Sequence, residues 1–373
     1  MSWLRVLMVD SERSWRGGQE QVRLLMKGLV AEGAAVTLAA PPEGALFERA
    51  AALDVDRIAW NGRATGLGAL RRAMASGRFD IVHSHASRAH GAVSAARVGL
   101  AARPPHVVSR RVDFPVGKGL PGRWKYRRGA DAYIAISRQV REVLISGGVP
   151  PASIDVVPSG IDLDKFARGR EATAVRAEFG LDGATRVVGN IAALAPHKSQ
   201  SDLLRAAGHV LATRDDVRFF VVGEGALRAD LERLAGSLGI AGRVVFTGFR
   251  PDALDLLRMF DVFVMSSYLE GLGTSIMDAQ AVGIPVVATR TGGIPEIVED
   301  GESGLLVPPR SPDLLAAAIL RMLDDETLRE ACIRGGRERS HGYDYRNTVY
   351  KTLDVYRRLC HANHPPGEKD AIR

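Results

Sequence analysis

Two acidic residues and a lysine have the types and spacing to bind a phosphorylated, hydroxyl-rich ligand. Glu270 and Asp278 are separated by seven residues, and Lys198 stands just ahead of a predicted helix. Ionised carboxylates only accept hydrogen bonds, which suits them to vicinal sugar hydroxyls, whereas a lysine adds a full positive charge beside a phosphate. The pattern therefore indicates a site for a ligand that carries both groups.

The segment around the two acids is predicted to form a strand, a glycine loop and a helix. Val262 to Met265 is a short apolar run typical of a buried strand. The helix is predicted to open at Thr274 and Ser275, whose hydroxyls suit a cap, and to run to about Val282. Its first turn would bind an anion, because a helix N-terminus carries a partial charge of about +0.5. An ordinary capped surface helix with solvated acids is the alternative.

A second turn of the same kind follows. Pro285 to Ala288 is another apolar strand pattern, and Gly292 and Gly293 precede Ile294 and a proline. Two glycines before an isoleucine and a proline predict a tight turn at the start of a helix. We expect its backbone donors to face the same ligand.

Strand and helix patterns alternate along the rest of the chain. A first series extends from the strand Trp3 to Val9 to the strand Ile154 to Val157, and a second begins at Arg186. Alternation at this spacing predicts parallel, doubly wound sheets. Small and polar residues from Asp164 to Thr185 predict a linker between two domains.

Composition sets further bounds. The chain has 373 residues, 46% hydrophobic and 25% charged, which is typical of a soluble globular protein of about two domains. Cys332 and Cys360 are too few for a disulfide scaffold, so we expect a reducing compartment and no structural metal. No run of 18 apolar residues predicts a membrane-spanning helix. We therefore expect a cytoplasmic protein, with possible association with the inner face of the membrane.

Positive charge is concentrated in one segment. The net charge is +7, and eight Lys or Arg between Arg103 and Arg128 face the single acid Asp113, with Phe114, Trp124 and Tyr126 interleaved. Such a patch suits anionic lipid, a phosphorylated glycan or nucleic acid. A merely solvated basic surface is the alternative.

The stretch from Ser266 to Pro309 resembles the signature of the retaining nucleotide-sugar glycosyltransferases of family four. Their Glu-x7-Glu stands here as Glu270 and Asp278, followed by the Gly-Gly-Ile-Pro turn. The resemblance covers nearly the whole chain. It implies the GT-B fold, an α/β architecture in which two Rossmann-like domains face a central cleft. It also implies transfer by front-face attack, with no metal and no cofactor besides the nucleotide diphosphate sugar as co-substrate.

Residue roles follow from the same resemblance. Glu270 is expected to hold donor-sugar hydroxyls, Asp278 the ribose diol, and Lys198 the diphosphate. His85 stands where the family has a histidine near the acceptor sugar, so Glu270, Lys198 and His85 are the predicted catalytic residues. The predicted donor-binding residues are Gly271, Leu272, Gly273, Thr274, Ser275, Asp278, Gly248, Phe249 and Arg250, and those on the acceptor side are Gly17, Gly18, Arg110 and Arg111.

The sequence departs from the family pattern at three of these positions. Asp278 is one methylene shorter than the usual glutamate, which changes its reach by about 1.5 Å. Ala193 stands where the family has an arginine, and Arg111, Arg250 and Arg290 are the candidates to replace its charge. Arg111 itself lies about where several relatives carry a histidine that touches the donor sugar.

Two domains are predicted, residues 1–166 for the acceptor and residues 167–342 for the nucleotide sugar. A helix at 343–361 is predicted to return to the first domain, and a frayed tail is predicted at 362–373. The predicted function is glycosyl transfer to a glycan or glycolipid in lipopolysaccharide or other cell-envelope polysaccharide biosynthesis.

There are three alternatives to this function. A GT-B-fold nucleotide-sugar isomerase (epimerase) would act without an acceptor. A nucleic-acid-binding module is disfavoured because no nucleic-acid motif accompanies the charge. A glycoside hydrolase is disfavoured because its two carboxyls must flank a scissile bond.

Overall fold

The computed structural model describes residues 3–63, 66–101, 103–116, 119–167 and 169–363. Contacts divide the chain into two units, one ending at Gly160 and resumed from Tyr345, the other spanning Ile161–Asp344. The predicted frayed tail lies outside the described residues from position 364 onward, as does Lys118 of the basic segment.

Parallel strands form the sheet of the first unit. Within the described residues the strands are β1 Arg5–Val9, β2 Ala35–Ala40, β3 Asp56–Ala59, β4 Ile81–Ser84, β5 His106–Arg110, β6 Ala132–Ala135 and β7 Ile154–Val156. Their order is β3-β2-β1-β4-β5-β6-β7. Strands β1, β4 and β5 are almost wholly buried, as expected when helices cover both faces of a parallel sheet. The strand order reverses between β1 and β4, which is where ligands bind in open sheets of this type.

Helices connect these strands. They are α1 Gly17–Ala31, α2 Ala45–Arg49, α3 Leu67–Ala75, α4 Ser87–Ala96, α5 Leu120–Arg128 and α6 Arg138–Ser146. The amphipathic pattern of the first helix predicts a start at about Gln21, after a loop that contains Gly17 and Gly18. Helix α1 starts four residues earlier, so the two glycines form its first turn.

The second unit has its own parallel sheet. Its described strands are β8 Arg186–Ile191, β9 Val217–Val222, β10 Val244–Gly248, β11 Val262–Met265, β12 Val286–Thr289 and β13 Leu305–Val307, in the order β10-β9-β8-β11-β12-β13. Its helices are α7 Ala172–Glu178, α8 Gln200–Leu211, α9 Arg228–Ser237, α10 Ala253–Arg258, α11 Thr274–Val282, α12 Ile294–Ile297, α13 Pro312–Asp324 and α14 Glu326–Ser340. Both sheets are Rossmann-like, which confirms the predicted α/β fold class. The predicted linker contains helix α7.

The last helix, α15 Tyr345–Asn363, belongs to the first unit. It buries Val349, Leu353 and Tyr356. A Cβ at Gly28 of α1 would lie 2.3 Å from Val349 Cγ2, so the two helices pack closely only because position 28 is glycine. The helical spacing of Tyr350, Leu353, Tyr356 and Leu359 predicts that these four residues share a packed face. Tyr350 is instead 49% exposed, because Val349 takes its place in the helical repeat. None of the described helices is both long enough and apolar enough to cross a bilayer.

Candidate functional site

Lys198 and Glu270 lie far apart in sequence but form an ion pair in the second unit. Lys198 Nζ contacts Glu270 Oε2, and the two side chains are only 17% and 12% exposed. Ser267 Oγ donates a hydrogen bond to the same Oε2 at 3.3 Å. The lysine and the acid are therefore held together before any ligand arrives.

Backbone geometry places Lys198 at this point. The lysine ends a short 3-10 turn, and Ser199 then adopts left-handed φ and ψ of 47° and 43° before α8 begins. Ser266 Oγ donates to the Lys198 carbonyl at 2.9 Å, and the Tyr268 amide donates to the His197 carbonyl at 2.9 Å. A left-handed serine is uncommon and costs free energy, so the surrounding contacts must hold the turn in place.

A glycine loop after β9 supports the segment that leads to Lys198. The Leu194 amide donates to the Glu224 carbonyl at 2.8 Å. A Cβ at Gly225 would lie 2.1 Å from the Leu194 carbonyl oxygen. This close approach excludes any side chain at position 225.

Helix α11 begins directly after the acidic loop. Gly273 occupies the N-cap position with φ of 94°, and no side-chain hydroxyl caps the helix. The predicted cap from Thr274 or Ser275 is therefore wrong, because both residues already lie in the first turn. The Ile276 amide donates to the Gly273 carbonyl at 2.9 Å. The donor groups left for a ligand there are the amides that precede it, because the first amides of a helix have no carbonyl one turn earlier.

Asp278, one turn into α11, is paired with a residue that the sequence did not single out. Lys165 Nζ donates to Asp278 Oδ1 at 2.7 Å, and the two side chains are 26% and 22% exposed. Lys165 lies in the 3-10 turn Leu163–Ala167, within the segment predicted to be a linker. No local pattern in the sequence around Lys165 signals this pairing.

The second glycine turn supports Glu270 from the backbone. The Gly293 amide donates to the Glu270 carbonyl at 3.0 Å, and Thr291 Oγ1 donates to the Tyr268 carbonyl at 2.9 Å. The amide of Gly293 was predicted to face the ligand. In the structure it donates to the acidic loop and holds that loop in place.

Two of the three arginines proposed as replacements for Ala193 already pair with carboxylates. Arg250 follows Gly248, which has φ of 73°, and the half-exposed Phe249. Its guanidinium donates to Asp252 at 2.7 Å and to Glu178 at 2.7 Å, and these bonds raise the pKa of Arg250. Arg290 pairs with Asp300 at 2.6 Å.

The remaining candidate, Arg111, lies in the first unit beside His85. Arg111 Nη2 donates to His85 Nδ1 at 3.4 Å, so the other ring nitrogen carries the proton, 3.1 Å from Met8 Sδ. Burial lowers the pKa of His85 well below its usual value and that of Arg111 to about 10. His85 is therefore a neutral ring with both nitrogens engaged.

The ring of a second histidine, His83, packs against that of His85. The His83 and His85 ring centroids are 4.0 Å apart. His83 Nδ1 lies 2.6 Å from the Tyr356 hydroxyl of α15, and its Nε2 lies 2.8 Å from Ser109 Oγ. The last helix thus fixes the ring on which His85 rests.

The other predicted acceptor-side residues differ in accessibility. A Cβ at Gly18 would lie 3.9 Å from Arg111 Cδ, so the arginine stem lies over the first turn of α1, which also contains Gly17. Arg110 is buried, and its guanidinium donates to the Tyr126 hydroxyl at 3.0 Å and to the Phe114 carbonyl.

The basic segment is less continuous on the surface than its sequence suggests. Arg110 is buried, and Lys125 Nζ donates to the Ser87 carbonyl at 2.6 Å. Arg127, Arg128 and Trp124 remain exposed on α5.

Comparisons with known proteins bear on the family and the fold of the chain. A model of glycosyltransferase family 4 matches residues 15–165, and one of glycosyl transferases group 1 matches residues 171–339. The chain is 34% identical over 305 residues to the D-inositol 3-phosphate glycosyltransferase of Acidothermus cellulolyticus, covering 75% of this chain and 67% of that one. It is 36% identical over 206 residues to the GDP-mannose-dependent alpha-(1-6)-phosphatidylinositol monomannoside mannosyltransferase of Mycolicibacterium smegmatis, covering 52% and 54%.

The chain thus spans between about half and two thirds of the length of these relatives. Among solved structures, Anabaena HepE in complex with UDP-glucose aligns with a TM-score of 0.85 at 20% identity, covering 95% of this chain and 100% of that one. Identity at that level shows a shared fold. From the family models and the first relative, the chain belongs to the family four glycosyltransferases.

Proposed function

We propose that the chain transfers a sugar from a nucleotide diphosphate sugar to an acceptor hydroxyl, with retention of configuration. The observation that carries this proposal is the largely buried Lys198–Glu270 pair at the start of α11. It puts a cation, a sugar-binding acid and helix amides in one place.

Each of these groups meets a part of the reaction. When the bond between the sugar and the phosphate breaks, negative charge develops on the departing diphosphate. Lys198 and the first-turn amides of α11 stabilise that charge, and one such prepositioned donor contributes about 3–4 kcal/mol. Glu270 binds the sugar hydroxyls, and Asp278, oriented by Lys165, binds the ribose diol.

Retention without a protein nucleophile fits the environment of Glu270. Its carboxylate already accepts from Lys198 and Ser267, which suits binding better than attack on carbon. The acceptor oxygen would bond to the sugar carbon on the face that the diphosphate leaves, and the acceptor proton would pass to a phosphate oxygen of the leaving group. His85, neutral and bonded to Arg111, positions the arginine in this scheme.

For the acceptor we propose a cell-envelope glycan or glycolipid. The two relatives are named for an inositol phosphate and for a phosphatidylinositol mannoside, which supports an acceptor of that kind over lipopolysaccharide. Membrane contact through α5 is a further part of this proposal, supported by the exposed Trp124, Arg127 and Arg128.

The test removes the charge of Lys198 or of Glu270. The controls remove, by the same substitutions, the charge of a lysine and of a glutamate outside the site. Lys198→Met and Glu270→Gln should each lower kcat by about 100-fold or more, measured as nucleotide diphosphate released from a panel of UDP-, GDP- and ADP-sugars. Lys351→Met and Glu338→Gln, both exposed and outside the site, are the matched controls and should leave kcat unchanged. Full activity of both site variants would refute the assignment.

Dependence on the acceptor separates transfer from isomerisation. Nucleotide diphosphate should be released only when an acceptor is present. An epimerised nucleotide sugar formed without any acceptor would instead identify a nucleotide-sugar isomerase.

A further inference from the structure

A cavity of about 330 Å³ opens in the first unit, where Ser11, Glu12, Arg13, Asn61, Arg63 and Arg88 contribute to its wall. The wall comes from the segment after β1, the segment after β3 and the first turn of α4, which follows β4. It therefore lies at the carboxyl ends of β1 and β4, where the strand order reverses. Its volume is within the range of ligand pockets, roughly 300–1,000 Å³.

The charge of this wall is strongly unbalanced. Arg13, Arg63 and Arg88 face the single carboxylate Glu12. Arg13 also pairs with Glu43 at 2.7 Å, but at 53% and 49% exposure such a pair contributes little and yields readily to a ligand. Arg88 lies in the first turn of the ten-residue α4, whose N-terminus adds further positive potential.

One polar side chain in the wall lacks a partner. Ser11 is 5% exposed, and its Oγ is buried without any hydrogen bond among the described residues. The Oγ is closed off in this rotamer, so the Ser11 side chain must rotate to reach a ligand oxygen in the cavity. A buried hydroxyl without a partner costs free energy, which favours that rotation when a ligand is bound.

The wall is also built rigidly around Ser11. Gly62 has φ of 73°, and a Cβ there would lie 3.2 Å from the Ser11 carbonyl oxygen. The Arg63 amide donates to Asn61 Oδ1 at 3.0 Å. The loop after β3 therefore packs directly on the segment after β1 and brings Arg63 to the same cavity.

We propose that this cavity holds a phosphate group of the acceptor, bound by Arg63, Arg88, Arg13 and Ser11 Oγ. Three arginines against Glu12 leave two positive charges once a ligand displaces Arg13 from its exposed pair with Glu43. Two charges match a phosphomonoester of about −1.5 to −2 better than a carboxylate of −1. Guanidinium groups also bind phosphate oxygens in pairs, which fixes the orientation of the acceptor. This inference rests on the proposed function, of which it names the substrate class.

The test measures binding of phosphomonoesters to the full chain by titration calorimetry. The probes are inorganic phosphate, glucose 6-phosphate and myo-inositol 1-phosphate, with glucose and myo-inositol as uncharged partners. At least one phosphomonoester should bind saturably, its uncharged partner should not, and the double variant R63Q/R88Q should weaken binding by about tenfold or more. Arg72→Gln, an exposed arginine of the same unit outside the cavity, is the matched control and should bind as the unmodified chain does.

Vesicles distinguish the two sources of phosphate. Binding to phosphatidylcholine vesicles that contain phosphatidylinositol 4-phosphate, whose headgroup carries a phosphomonoester, identifies a lipid headgroup as the source, provided that phosphatidylcholine alone does not bind and that R63Q/R88Q loses the binding. Saturable binding of the soluble esters identifies a free sugar phosphate. Absence of both, or equal binding by R63Q/R88Q, overturns the proposal.

Two further measurements keep the result interpretable. Ser11→Ala removes the unpartnered hydroxyl without changing charge and should weaken phosphomonoester binding by about threefold or more, at an unchanged unfolding temperature. Nucleotide-sugar binding should be unaffected in R63Q/R88Q. If nucleotide sugars bind and phosphomonoesters do not, the acceptor inference fails while the proposed transfer stands. If nucleotide sugars do not bind at all, the proposed function fails.

Discussion

The carboxylate of Asp278 is held by a lysine from outside its helix. Lys165 Nζ approaches Asp278 Oδ1 to 2.7 Å in a partly buried setting, where charge-assisted hydrogen bonds are stronger than on an open surface. An aspartate reaches about 1.5 Å less far than a glutamate. We infer that the lysine compensates by fixing the shorter acid in one orientation.

Removing this lysine should impair donor binding more than chemistry. Lys165→Met should raise the donor KM by about three- to tenfold with little change in kcat, because the proposed role of Asp278 is to bind the ribose, away from the bond that breaks. Lys165→Arg keeps the charge and should recover most of the affinity. Steady-state kinetics with varied donor measures both constants, and an unchanged or lower KM in Lys165→Met would contradict the role.

His106 makes stability depend on pH. Its Nδ1 lies 2.8 Å from the Gly129 carbonyl, an acceptor, so Nδ1 carries the proton and Nε2 accepts from Ser84 Oγ at 2.7 Å. Burial, the largest cause, lowers the pKa of His106 to about 3. The unfolded chain, with a pKa of about 6.5, binds this proton first as pH falls.

The stability that His106 contributes is thus complete above about pH 6.5 and is lost progressively as pH falls toward 3. Between pH 7 and pH 5 the loss should be about 2 kcal/mol for this residue. His106→Asn keeps a donor for Gly129 but does not titrate. Between pH 7 and pH 5, the free energy of unfolding of this variant should therefore fall by about 2 kcal/mol less than that of the unmodified chain. Denaturant titrations at both pH values measure it, and equal slopes for the two proteins would exclude the effect.

At the scale of elements, helix glycines show how closely the elements approach each other. Gly28 in α1 leaves room for Val349 of α15, whereas a Cβ at Gly208 in α8 would meet nothing within 4 Å. The same substitution should therefore have opposite effects at the two positions.

Gly208→Ala should stabilise the chain by about 0.5–1 kcal/mol, because alanine loses less conformational entropy in a helix. Gly28→Ala should destabilise it by about 1–3 kcal/mol, because the methyl group must displace Val349. Thermal unfolding followed by circular dichroism compares the two variants. A stabilised Gly28→Ala would mean that α1 and α15 are not in contact.

Elements were predictable from sequence where apolar periodicity is strong. Val262–Met265 matches the observed strand β11, and the helix predicted from Thr274 to about Val282 is α11. Strand β3 was missed, because Asp56–Ala59 is short and mostly exposed at the sheet edge and so lacks the apolar run of a buried strand. Helix α7 was missed because small and charged residues resemble a linker.

Side-chain partners were less predictable than elements. Motif spacing brought Lys198 and Glu270 to one site, but no local pattern indicates that Lys165 reaches Asp278 across 113 positions of sequence. The same holds for Tyr356 and His83, which are 273 positions apart. Such pairs depend on the tertiary fold, whereas the caps and periodicities used in the prediction are local.

At the scale of the whole molecule, each unit has its own buried core. The core of the second unit is drawn from β8, β9, β11 and α8 together with α13, all within Ile161–Asp344. A fragment of residues 161–344 should therefore fold alone, with a single cooperative unfolding transition and donor binding within about tenfold of the full chain. Calorimetry and donor titration test this, and a fragment without a cooperative transition would show that its core depends on the first unit.

The first unit is not continuous in sequence, because part of its core comes from the last helix. Helix α15 supplies Tyr345, Val349, Leu353 and Tyr356 to that core. During synthesis, the ribosome must add the 184 residues from Ile161 to Asp344 before this helix emerges. At 5–20 residues per second that interval is roughly 10–40 s. The half of the protein that is made first is therefore the last to be completed, and meanwhile the apolar groove on α1 that receives α15 is open to chaperones.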